Sequence, residues 1–479
     1  MQNQDANGRT WQEGVTAYTG AVPEQMAIEK KWYEGITTYM WLVLAISSLG
    51  WVFDTFEGQI FVASMKEAMP ALLPEGTLAG SVDLYNNIAM AALLAGGALG
   101  GVVFGMVSDR IGRTKTMILT ILVYSLFTCV TALSQTWWQI VIFRFLVALG
   151  TGGEWAVASA MVAEVFPQRA RARSLGIFHA SSILGTCLAA LAGAVIVGNP
   201  ALGKNAWRWA FVLGAAPALL TLAIRWKLRE PEQWVEARQR SKSDRAKRAG
   251  RIMDLFAPEL RKNTLVGLLL ATVGLATFWG VHVYGQSLLR AVVERSYLAE
   301  AAEMGNKAPA QEILSGVSGS VKRWEMLGMF LATVGGGLGG LCFGPISERI
   351  GRRATFLFFQ AGGLVAALIV FQGMAHASAG VVCCALPIFG YLTLGQHAGY
   401  AIYFPELFPT RLRGTGGGFC FNGARVLAAS ILILRGWMRS EQGLGLSLES
   451  TVSVLSLLFL VGILLLLVAP ETKGRALPE

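Results

Sequence analysis

Apolar runs of roughly 18–25 residues recur along this chain, near 38–62, 88–107, 116–133, 140–165, 174–197, 209–226, 264–288, 326–345, 355–374, 380–404, 414–437 and 451–469. Each is long enough as a helix to cross a hydrocarbon core of about 30 Å. Twelve such runs predict an all-α integral membrane protein with twelve transmembrane helices. Charge agrees: 15% of the 479 residues are charged, against about 25% in soluble proteins. A soluble enzyme, a disordered chain and a secreted disulfide scaffold are thereby excluded. The six cysteines, all inside apolar stretches, read as small buried hydrophobes rather than a disulfide or zinc framework. The four histidines are scattered, so no metal cluster is expected, and no nucleotide-binding loop or nucleophile–base pair is evident.

The formal charge is +10, but its distribution matters more than its size. Most of the Lys and Arg lie in the N-terminal tail, in alternate loops and in the C-terminal tail. This asymmetry places those segments, and with them both termini, in the cytoplasm. It also removes the need for a nucleic-acid partner. The first residues lack the pattern of a cleaved signal. The expected organisation is a tail (1–37), a six-helix bundle (38–228), a basic linker (229–263), a second six-helix bundle (264–469) and a short tail (470–479).

An internal repeat supports that division. GGALGGVVFGMVSDRIGR (96–113) and GGGLGGLCFGPISERIGR (335–352) are identical at twelve of eighteen positions. EVFPQRAR (164–171) and ELFPTRLR (406–413) recur at nearly the same offset, half the chain. Two pseudo-symmetric bundles in parallel orientation follow. Each first motif ends in an acid, an arginine, a glycine and an arginine: Asp109, Arg110, Gly112 and Arg113, then Glu348, Arg349, Gly351 and Arg352. The acid can meet the positive N-terminus of a helix in the other bundle, the arginines can pair with acids on nearby loops, and the second motif adds Glu164 and Glu406 to the charged cluster. With Arg171 and Arg413 these residues form a candidate cytoplasmic gate; plain topological anchoring by basic loops is the alternative.

With these motifs the chain resembles the major facilitator superfamily. The stretch from Gly105 to Arg113, its copy at 344–353, both E-x-x-P-x-x-x-R motifs and the PETKG after the last run carry the likeness. GWVFDTFEGQIF (50–61), GTGGEWAVAS (150–159) and YFPELFPTRLRGTG (403–416) are similar to the aromatic-acid and metabolite:proton symporter branch, related to sugar porters. In that likeness Asp54 and Glu57 stand for the two acids of the branch's first-helix element. The resemblance implies two bundles rocking about a central site, proton coupling, no cofactor besides the proton, and action as a monomer in the lipid bilayer.

Ionisable residues inside the runs are costly and mark function by default. Asp54 and Glu57 share one helix face and are candidate proton carriers, as is Glu154; fixed-charge pairing is the alternative for the first two, and a buried hydrogen-bonded acid near the cytoplasmic gate for Glu154. Arg144 is read as a partner for Asp54 or a ligand for the solute. Arg425, near mid-membrane with Asn422 one turn before it, is the candidate cation for a solute carboxylate, which a guanidinium grips through two parallel hydrogen bonds. Trp279, His282, Gln286, Gln396 and His397 complete the candidate pocket, packing being their alternative. The function expected is proton-coupled import of a small organic anion across a bacterial inner membrane. A sugar or polyol carrier, or a non-transporting sensor on the same fold, stays open as the alternative.

Overall fold

The computed structural model describes residues 31–74, 82–197, 202, 205–214, 216–217, 219, 224, 226–243, 249–305, 308–439 and 444–479, and no strand occurs among them. Contacts group the chain into two compact units, Met1–Gly35 and Ile36–Glu479. In the first, residues 31–35 form a turn closed by Glu34 N–H donating to Lys31 O at 2.9 Å. The second contains every helix described below.

In the first half of the sequence the helices are α1 (Thr38–Ala68), α2 (Val82–Ile111), α3 (Arg113–Thr131), α4 (Trp137–Val165), α5 (Gln168–Ala180), α6 (Ser182–Ala192) and α7 (Ala206–Leu213). The linker holds α8 (Glu232–Ser243). The second half has α9 (Arg261–Gly280), α10 (Gly285–Glu303), α11 (Ala310–Gly316), α12 (Ser318–Ile350), α13 (Arg352–Leu368), α14 (Ala379–Leu394), α15 (His397–Leu407), α16 (Arg413–Arg439), α17 (Leu448–Ser456) and α18 (Leu458–Val468). Among the described residues, nine helical stretches are long and apolar enough to cross a membrane. Of the other three expected runs, the fifth is divided at Ser181, whose hydroxyl donates to Phe178 O at 2.6 Å and Ser48 O at 3.3 Å. The sixth is described only in pieces, with 215, 218, 220–223 and 225 outside the described residues. The eleventh is the 27-residue α16.

Two runs read as continuous are broken. The seventh leaves α9 at Gly280, makes a 3₁₀ turn over His282–Tyr284 and resumes as α10. The tenth is interrupted at Gly395 and Gln396, between α14 and α15. Broken helices at membrane depth are tolerated where the freed polar groups face protein rather than lipid. The two breaks answer one another here: His282 Nδ1 lies 2.8 Å from Thr393 Oγ1, and Gln396 Nε2 donates to Thr277 Oγ1 at 3.5 Å.

The halves meet where side chains vanish. A Cβ on Gly105 would lie 2.5 Å from Gly414 O, and one on Gly418 would lie 2.2 Å from Gly101 O, so α2 and α16 touch backbone to backbone. Close approach through small residues is how helices associate in lipid, where apolar surface alone gives no preference. The same crossing carries Arg425 and Asn422 of α16 onto the first half. It therefore positions the site.

Candidate functional site

Four of the five buried ionisable residues expected from the sequence lie on α1 and α4, and α3 supplies their hydrogen bonds. Glu57 forms an ion pair with Arg144, and both are fully buried. Thr128 Oγ1 donates to Glu57 Oε1 at 2.9 Å, while Arg144 Nη2 donates to Thr131 Oγ1 at 2.9 Å. The guanidinium is held between the rings of Phe61 and Phe211, at 5.1 and 5.0 Å. One turn nearer the middle, Asp54 is buried and has Arg425 as its principal opposite charge. Asp54 is in turn the charge that acts on Arg425. An acid of the first half thus confronts a cation of the second. Arg425 is only partly buried and lies over Phe421 at 5.7 Å. Phe421 stacks on Trp155 of α4 with ring centroids 4.0 Å apart. Asn422 is fully buried and donates to Gly152 O at 3.1 Å. Glu154 accepts from Thr120 Oγ1 at 2.5 Å.

The end of the molecule that carries Asp109 and Arg113, the charged end, is closed by a lattice of ion pairs. Arg113 pairs with Asp109 and reaches Glu164 Oε1 at 2.8 Å. Glu164 is shared with Arg413 of the second half at 2.7 Å. Asp109 crosses the interface too: its carboxylate accepts from Gly414 N–H at 3.1 Å, Thr415 N–H at 2.8 Å and Thr415 Oγ1 at 2.6 Å. That is the N-terminus of α16, where unpaired N–H groups and the helix dipole favour an anion. The repeat reproduces the core of the lattice, with Arg352 pairing with Glu406 at 2.8 Å. Glu348, in the place of Asp109, ion-pairs with Arg173 of α5 at 2.6 Å.

A model of the Major Facilitator Superfamily matches residues 40–431. The chain belongs to that family. It is 29% identical over 433 residues to a probable 4-methylmuconolactone transporter of Cupriavidus pinatubonensis, covering 89% of this chain and 90% of the relative. It is 28% identical over 357 residues to a cis,cis-muconate transport protein of Acinetobacter baylyi, covering 74% of this chain and 78% of that protein. Among solved structures, the proton:xylose symporter XylE aligns with a TM-score of 0.68 at 15% identity, over 92% of this chain and 98% of its own. That last likeness is one of fold. The family member described here is a multi-pass membrane transporter of a small-molecule metabolite, not an enzyme.

Arg144 of this transporter is placed otherwise than its sequence suggested. Arg144 does not meet Asp54: it is spent on Glu57 and enclosed by aromatic rings, which leaves it no face for a solute. Three residues farther along α1 is most of a helical turn, enough to select Glu57 instead. His282 is committed to Thr393 and stacked between Phe278 and Phe389, at 5.4 and 5.8 Å. Gln286 packs against Gly328 of α12, and Trp279 sets its ring edge-on to Phe278 at 5.0 Å. Gln396 and His397 sit at the break between α14 and α15. His397 Nδ1 is 3.1 Å from Leu394 O, and its buried Nε2 has no hydrogen-bond partner among the described residues. At the charged end, Arg171 donates to Ala163 O at 2.9 Å, as Arg413 does to Pro405 O at 3.1 Å. Arg110 reaches Gly250 O in the linker at 3.1 Å. Arg349 is exposed, and its carbonyl accepts from Lys473 Nζ at 2.7 Å.

Two acids that the sequence reading passed over complete the charged end. Gly112 and Gly351 have φ of 120° and 94°, and each opens a helix. Glu230 accepts from Arg113 N–H at 2.7 Å and Thr114 N–H at 3.3 Å. Glu471 accepts from Arg352 and Arg353 N–H, both at 3.0 Å. A Cβ on either glycine would strike the capping carboxylate, at 2.2 and 2.7 Å respectively. Burial pushes the Glu230 carboxyl up. Burial acts the same way on Glu471, but its backbone N–H donors outweigh it and hold the carboxyl below its ordinary value. Their signal was the acid beside a proline just beyond the sixth and twelfth runs. Because the folded pKa of Glu471 is depressed, its contribution is present above the ordinary glutamate value of about 4.3 and fades as pH falls through the lowered one. Glu471→Gln is therefore expected to lower the melting temperature at neutral pH, with the difference from wild type vanishing in acid. A constant difference across that range would remove the carboxylate cap from the account.

Proposed function

We propose that this chain imports a small unsaturated or aromatic carboxylate together with protons across a bacterial inner membrane. The two six-helix bundles, residues 38–228 and 264–469, alternate access about Arg425, and the charged end with its basic loops faces the cytoplasm. The observation that carries the reading is Asp54 of one half facing Arg425 of the other. While Asp54 is ionised it occupies the guanidinium. A proton on Asp54 frees Arg425 to grip a solute carboxylate, so proton and anion load together. The Trp155–Phe421 stack lies buried beside Arg425, and its rings suit a planar, conjugated solute once the bundles part around it. Release follows when the lattice around Asp109, Glu164 and Arg413 parts. The similarity to carriers named for muconate and methylmuconolactone supports the solute class.

Proteoliposomes loaded with buffer and given labelled cis,cis-muconate under an inward proton gradient test this. Accumulation that collapses with the gradient is expected. Arg425→Ala is expected to weaken uptake affinity by about 30-fold or more, the equivalent of losing about 2 kcal/mol from a buried charged contact. Uptake of xylose in place of muconate, untouched by Arg425→Ala, would overturn the carboxylate assignment.

A further inference from the structure

Helix α3 sets Thr116, Thr120, Tyr124 and Thr128 at successive intervals of four residues, which places them on one face. The ladder runs from the charged end toward the opposite one, and Thr120 to Thr128 spans about 12 Å. Its rungs meet the buried acids in order. Thr120 Oγ1 donates to Glu154 Oε2 at 2.5 Å, and Thr128 Oγ1 donates to Glu57 Oε1 at 2.9 Å. Tyr124 lies between them, fully buried, and its hydroxyl has no hydrogen-bond partner among the described residues. A buried polar group without a partner costs about 1–3 kcal/mol and calls for a reason.

Its surroundings supply one. The phenol lies in the field of Glu154 first, then Asp54, then Glu57. Glu154 Oε1 and Glu57 Oε2 are buried and without hydrogen-bond partners among the described residues as well. Glu154 Oε1 points at α1, 2.7 Å from where a Cβ on Gly50 would stand, and Gly50 is one turn from Asp54. The charged groups around the phenol are thus Asp54 and Glu57 on α1, Glu154 and Arg144 on α4, and Arg425 on α16 beyond Asp54. Both neighbouring threonine hydroxyls already donate to carboxylates. Tyr124 holds the uncommitted O–H.

We infer that Tyr124 relays the coupling proton between Asp54 and Glu154 along α3, behind the solute space rather than through it. The inference rests on the proton-coupled reading above. In the step, once the side chains close from their present unbonded positions to hydrogen-bond distance, the Asp54 carboxyl gives its proton to the phenol oxygen as the phenolic O–H passes to the Glu154 carboxylate. One O–H bond breaks at Asp54, one forms at Glu154, and the phenol exchanges its hydrogen without a net change of charge. Asp54 is left ionised and able to reclaim Arg425, which ejects the solute. Glu154 carries the proton one stage nearer the charged end.

The test uses wild-type protein in proteoliposomes and needs no solute. After an acid step on the medium, infrared difference spectra follow the carboxyl band that Glu154→Gln deletes. Tyr124→Phe, which keeps the ring, is expected to slow the rise of that band by about 100-fold, in the range of a lost proton-transfer group. Its melting temperature reports the fold, and 3-fluorotyrosine at position 124, which restores an O–H, is expected to recover the rate. An unchanged rate in Tyr124→Phe overturns the relay. So does a slow rate that 3-fluorotyrosine leaves slow, or a wild-type Glu154 that never takes a proton. Failure of the coupling reading is separately visible: wild-type vesicles would then accumulate muconate with no proton entry.

Discussion

Asp54→Asn is expected to abolish accumulation of muconate against its gradient. Asparagine keeps the size but carries no charge and takes no proton. The guanidinium of Arg425 then loses the carboxylate it faces. Solute binding is expected to become independent of pH in the variant and to strengthen as pH falls in wild type, since in the proposed cycle a proton on Asp54 releases Arg425. An inward gradient of one pH unit can support about tenfold accumulation per proton; the variant is expected to reach only equal concentrations inside and out. Flux measured at several pH values, with and without a gradient, reads both effects. Gradient-driven accumulation by the variant would take Asp54 out of the coupling step.

The second large effect concerns Arg113. Its side chain is wholly buried between Asp109 and Glu164 and also donates to Thr410 O across the interface at 3.0 Å. Arg113→Ala would leave two buried acids sharing Arg413. Removing one partner of a buried pair costs about 3–5 kcal/mol. Much of that cost falls on the state in which the halves are joined at the charged end, since Glu164 and Asp109 reach across only there. The population is expected to shift toward the opposite opening by about 100-fold, the equivalent of about 3 kcal/mol. Spin labels on the exposed positions Lys115 and Arg349, in a background without native cysteines, would report a longer separation in the variant. A distance distribution identical to wild type would show that the lattice does not hold this end shut.

The fold was highly legible. Spans long enough for a bilayer, scarce charge and a repeat at half the chain length are each visible without a structure, because lipid imposes its requirements locally, run by run. The gate was legible in part for a related reason. Duplication repeated Arg113 and Glu164 as Arg352 and Glu406, so the residues are visible twice, while which acid each arginine takes came from the structure. Even the reach of Asp109 to a helix N-terminus in the other half followed from its chemistry. Glu230 and Glu471 were harder, since a single acid after a helix has many possible uses until the glycine turn it caps is located.

The interior site divides differently. Asp54, Glu57, Arg144, Glu154 and Arg425 stood out because a charge in an apolar run is expensive, and that cost is a property of the residue and its immediate neighbours. Which acid meets which cation is a matter of helix rotation and of how closely α1, α3, α4 and α16 approach. A difference of three residues turns a side chain by most of a helical turn, and that rotation gave Arg144 to Glu57 and left Asp54 to Arg425. The breaks at Val281 and Gly395 likewise depend on neighbours able to satisfy the freed backbone. Membrane residence, the duplicated architecture and the identity of the buried charges were thus present in the order of amino acids, as local costs. Their pairing, and the placing of Tyr124 among the three acids, arose from packing between helices distant in the chain, which local costs do not encode.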